Sequence, residues 1–128
     1  MIYIVENLWP ILAATLAGLA FGAIWYAPRG GRRPAAGYAI AAFVAEFWFC
    51  AILAGALILA PPKADAWVMA LGTAVVIWIG FVVPVLVVTL RGRGVTWGAV
   101  ARDCGHWVGV MLVQVVVLKL IGLIPPTI

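Results

Sequence analysis

Apolar residues in this chain come in long, nearly unbroken runs, and most charged residues collect between the runs or at their ends. Such runs read as membrane-crossing helices, because a hydrocarbon layer about 30 Å thick is spanned by ~20 residues at a rise of ~1.5 Å each. Four runs are long enough: residues 8–27, 36–60, 67–90 and 98–124. The first opens with Trp9-Pro10, and proline suits a first helical turn because the N–H it lacks would be unpaired there anyway. Pro61-Pro62 stops the second, Arg91-Gly92-Arg93-Gly94 interrupts the third, and Pro125-Pro126 closes the fourth. The pattern predicts an all-α integral membrane protein, a single domain over residues 1–128 built as a bundle of four transmembrane helices.

Composition agrees: 67% of residues are hydrophobic and 9% charged, with a mean hydropathy of +1.22. Too few charges remain to clothe a water-soluble globule. The net charge of +4 would suggest nucleic acid in a soluble chain, but here it rests on basic residues set mostly at run ends, so no nucleic-acid partner is expected. Arg29, Arg32 and Arg33 lie between the first and second runs, and Arg91, Arg93 and Arg102 lie in or just beyond the third connection; only Lys63 and Lys119 fall at the other end. Because cytoplasmic loops retain positive charge, this predicts both termini outside, with Trp9 and Trp67 at the outer interface and Trp25, Tyr26 and Trp97 at the inner one. The first run reads as a mature helix and not a cleaved signal, since Glu6 precedes it and Trp25-Tyr26-Ala27 ends it.

Lipid supplies no hydrophobic force between helices, so small residues that let backbones approach mark the seams. Ala14, Gly18 and Gly22 form one row, Gly37, Ala41 and Ala45 a second, and Gly105 and Gly109 a third. These rows serve either a four-helix bundle or a homodimer. Cys50 and Cys104 differ in depth by roughly 12 Å, beyond disulfide reach, and read as small core residues.

Three ordered elements carry a family resemblance: Gly22-Ala23-Ile24-Trp25-Tyr26-Ala27-Pro28, Trp78-Ile79-Gly80-Phe81-Val82-Val83-Pro84, and Asp103-Cys104-Gly105-His106-Trp107. Together they resemble the bacterial domain-of-unknown-function family 1761 over almost the whole chain. Two departures mark a divergent member: His106 stands where that family has tyrosine, and the first connection is short. The family has no assigned activity, so the resemblance implies a four-span protein of a bacterial inner membrane and no chemistry.

Polar groups at membrane depth are costly enough to need a partner or a purpose. Glu46 lies ten residues into the second run, roughly 15 Å deep, and His106 eight residues into the fourth, roughly 12 Å deep, so the two are expected to share a layer. Gln114 lies further up the same helix, at roughly 24 Å. This set reads either as a proton- or cation-linked site or as buried hydrogen bonds that fix helix register. Arg102 and Asp103 are expected at the interface, with Asp103 pairing with Arg102, Arg91 or Arg93. A histidine beside a tryptophan can also ligate haem or chlorophyll axially, although the single histidine excludes a bis-histidine haem within one chain, and no metal site or other cofactor is indicated. Trp48, Trp78 and Trp107 lie deep, where they serve packing or line a groove for a lipid, quinone or pigment. No nucleophile–base set, metal cluster or phosphate loop points to an enzyme. The leading expectation is an accessory subunit packing against other membrane-protein subunits; the alternatives are a homodimeric transporter or channel using Glu46 and a lipid-, quinone- or pigment-binding protein.

Overall fold

The computed structural model describes residues 2–26 and 36–125. They form α1 (Ile2–Glu6), α2 (Leu8–Trp25), α3 (Ala36–Leu59), α4 (Ala66–Ile77), a π-helical turn (Trp78–Val82), α5 (Val83–Gly92) and α6 (Trp97–Ile121), with no strand among the described residues. Four helical stretches are long and apolar enough to cross a membrane: α2, α3, the continuous α4–α5 rod from Ala66 to Gly92, and α6. Helices are what such runs must form in lipid, where every backbone N–H and C=O has to find its partner within the segment.

Helix ends follow local chemistry. The Asp65 carboxylate accepts from the Trp67 N–H at 3.0 Å to start α4, and the Thr96 hydroxyl accepts from the Ala99 N–H at 3.3 Å to start α6. Gly122, at φ 97°, ends α6 by a turn that a side chain would strain, so the fourth span stops at Ile121 rather than 124. The first span ends at Trp25 rather than 27, and the third runs on through Gly92. Within the third, Pro84 has no N–H to give the Gly80 carbonyl, and the backbone widens there: the Val83 N–H bonds back to the Trp78 carbonyl, a π-type turn.

The two long-range neighbours α2 and α6 run antiparallel and form the most extensive contact in the molecule. One core cluster joins Ile11 and Ala14 of α2, Cys50, Ala51 and Ala54 of α3 and Leu118 of α6. A second joins Leu53 of α3, Ala70 and Ala74 of α4 and Met111 and Val115 of α6. Helix α6 is thus shared by both clusters. Of the small-residue rows, Ala14 and Gly18 are buried, and Gly22, Gly105 and Gly109 each face a ring, of His106, Trp25 and Phe21 respectively. The row Gly37, Ala41 and Ala45 lies instead on the outside of α3, whose inner face is Glu46, Cys50, Ala51, Leu53 and Ala54.

Candidate functional site

Glu46 faces inward from the middle of α3, is 7% exposed, and meets fully buried Gln114 of α6. The Gln114 Nε2 donates to Glu46 Oε1 at 3.4 Å, a long contact. Gly18 of α2 makes the meeting possible: a Cβ there would stand 2.5 Å from Gln114 Nε2 and 2.9 Å from Glu46 Oε1. The pair therefore depends on three helices, two supplying the polar groups and one supplying the space. Thr15, one turn from Gly18 and fully buried, turns its hydroxyl to the Ile11 carbonyl at 2.7 Å. Gln114 Oε1 is buried and has no hydrogen-bond partner among the described residues.

His106 does not share this site. It sits two helical turns from Gln114, towards the Tyr26 end of α2, where a Cβ on Gly22 would lie 2.8 Å from its Nε2. Its imidazole is ringed by Tyr26, Trp107 and Phe21, at centroid distances of 4.8, 5.1 and 6.3 Å. Its Nδ1 is buried without a partner among the described residues. Nearby, the Tyr26 hydroxyl donates to Asp103 Oδ1. Partial burial first, and then that bond, push the Tyr26 hydroxyl above its ordinary tyrosine range. Asp103 thus pairs with a tyrosine rather than an arginine. Arg102 instead lies over the Tyr26 ring at 5.4 Å, and Arg91 over the Trp97 ring at 4.7 Å.

The deep tryptophans do not share a groove. Trp48 is 53% exposed on the outside of α3. The Trp78 indole donates to the Cys104 carbonyl of α6 at 2.8 Å, and Trp107 packs on Phe49 at 5.6 Å. Two clefts, of about 190 and 380 Å³, lie at the opposite end around Leu57 and Lys119 and are lined by none of these three rings. Of the resemblance motif residues, Gly22, Trp25, Tyr26, Asp103 and Gly105 gather where α2 meets α6, Trp107 turns to Phe49 of α3, and Gly80, Phe81 and Pro84 are exposed on the third span; Pro28 lies outside the described residues. Cys50 and Cys104 are buried free thiols. Among the described residues no three His, Cys, Asp or Glu side chains gather as a metal site.

Two inward-facing polar residues escape a reading by apolar runs. Asn7, fully buried at the α1–α2 break, donates to the Ile124 carbonyl at 2.8 Å and accepts from the Ile124 N–H at 2.6 Å. Tyr3 donates to the Ala51 carbonyl at 2.8 Å across α3, in space that Gly55 leaves open. Their i, i+4 spacing was the available signal. The chain matches no protein-family model, no curated protein and no solved structure.

Proposed function

We propose that this protein is a non-enzymatic membrane subunit that docks on another membrane-protein chain through its third span. The observation that carries this reading is the imbalance of burial among the spans. Only 6% of the most apolar window of the third span is buried, against 28%, 28% and 39% for the others. Val76, Ile79, Phe81, Val85 and Val88 are each at least 60% exposed, and Gly72 and Gly80 have open space where a Cβ would stand. Small residues beside large apolar ones on an uncovered helix suit close approach by a second helix. The basic residues favour a bacterial inner-membrane protein with both termini outside, and the motif resemblance to family 1761 fits such a protein.

The test places a photo-activatable cross-linker at Ile79 and at Val85 in intact membranes, with Leu16 as the lipid-facing control. The same discrete protein adduct is expected from both third-span positions and is expected to disappear when Gly80→Leu is added. Lipid adducts alone at all three positions would overturn the docking reading.

A second reading is favoured by one observation, the enclosed Glu46–Gln114 pair: a homodimeric transporter or channel in which Glu46 is the proton- or cation-linked group. It predicts that the cross-linked species from the third span is a second copy of this chain.

A further inference from the structure

At the Glu46–Gln114 contact, donors and acceptors do not balance. An ionised carboxylate only accepts, and the Gln114 amide has one carbonyl oxygen to satisfy and two N–H groups to give. One N–H is used, at 3.4 Å to Glu46 Oε1, while Gln114 Oε1 is buried and unpartnered among the described residues. The surroundings offer no remedy. From α2 the pair is faced by Gly18, with Thr15 one turn away, and Val110 of α6 lies beside Gly18; on α3 itself Cys50 is one turn from Glu46. Thr15 has committed its proton to the Ile11 carbonyl, and none of these groups carries positive charge. An unpaired acceptor beside an unpaired negative charge, both out of water, is a costly arrangement.

One hydrogen resolves both deficits. A carboxylic acid and a primary amide set side by side form a closed pair, in which the amide N–H donates to one carboxyl oxygen and the carboxyl O–H donates to the amide oxygen. The first of these bonds is present. The second is to be closed by rotation about the terminal torsions of Glu46 and Gln114, which are soft for this kind of bond. The geometry points to a proton-binding site in mid-bundle, with an exchangeable hydrogen held between the Glu46 carboxyl and the Gln114 amide oxygen. Gly18 is its third wall, because any side chain there would displace the atoms that close the pair.

This inference deepens the transporter reading by naming the proton as ligand, yet it can fail separately, since a site can hold a proton without passing it across the membrane. The experiment is infrared difference spectroscopy of the whole chain in phosphatidylcholine vesicles at neutral pH, in light and in heavy water. A protonated-carboxyl stretch that shifts on deuteration is expected, absent in Glu46→Gln and moved to higher frequency in Gln114→Leu, where the acid loses its amide. Circular dichroism of each variant establishes that the helices persist. No protonated-carboxyl band in the wild type, a band that survives in Glu46→Gln, or a band abolished by added sodium or potassium would each overturn the proposal. Proton flux into the same vesicles is read in parallel. A Glu46 band without flux leaves the site standing and removes the transporter reading, whereas flux without the band does the reverse.

Discussion

At Gly18 the side chain is a single hydrogen, and the polar centre of the bundle is built around that fact. The neighbours of a Cβ at this position would be the polar ends of Gln114 and Glu46, at 2.5 and 2.9 Å, with Val110 Cγ1 at 3.1 Å behind them. Neither polar end can withdraw into apolar surroundings without losing its bond. Gly18→Ala should therefore destabilise the protein by about 1–3 kcal/mol, as overpacking in a filled core does. Leu16→Ala, at a position 57% exposed, should stay within ~0.5 kcal/mol. Detergent unfolding curves on the two variants check this, and equal tolerance would mean that α2 does not press on the pair. The sequence made Glu46 conspicuous, because a carboxylate in an apolar run is rare. It did not disclose the partner. Counting residues gives the height of a group along a helix and nothing about which way the helix leans or turns. By height alone His106 was the nearer candidate, but α6 presents Gln114 to α3 and turns His106 towards Tyr26 and Gly22.

Among the elements, the third span is the one whose internal geometry departs from a plain helix. The wide turn at Trp78–Val82 and the proline two residues beyond it go together, since Pro84 cannot donate and its ring crowds the preceding turn. The turn also carries the Trp78 indole to the Cys104 carbonyl, one of the few polar ties between this span and the rest. Pro84→Ala should let the backbone close to an ordinary α-turn and rotate Trp78 off its acceptor. The indole N–H resonance of Trp78 should then move towards the position of a free indole and exchange faster with solvent. An unmoved resonance would show that the proline does not set the turn. The spans themselves were legible because lipid leaves an apolar run of this length only one structure to adopt. The π-turn was not legible as such. A proline inside a run marks a kink, but whether the backbone answers by breaking, bending or widening depends on what its neighbours can bond to.

On the scale of the whole molecule, a polar contact fastens the chain's two ends beside the packing of Leu123 and Ile4 on the core. Asn7 holds both the N–H and the C=O of Ile124, a residue 117 positions away in the chain, so the segment after α6 is fastened to the start of α2. Asn7→Ala should cost about 1–3 kcal/mol, because it leaves two backbone groups of Ile124 to find other partners. Hydrogen exchange at the Ile124 amide should rise sharply while amides in the middle of α6 keep their protection; unchanged exchange at Ile124 would mean that the clasp carries no load. A polar residue just ahead of an apolar run reads as interfacial, and only the return of the chain past α6 brings it a partner.

The pairing of Glu46 with an amide 68 residues further along has a consequence for how the protein is made. At about 5–20 residues per second, the ribosome delivers α3 several seconds before it delivers the amide. During that interval the second span carries an acid into the bilayer with Gly18 beside it and no Gln114 to meet it. Insertion in that interval bears the cost of a lone ionisable group in hydrocarbon, about 2.5–3.5 kcal/mol on insertion scales. Arrival of the fourth span then brings the amide N–H that offsets part of that cost. A chain stopped before it would keep an unsatisfied acid in an apolar helix.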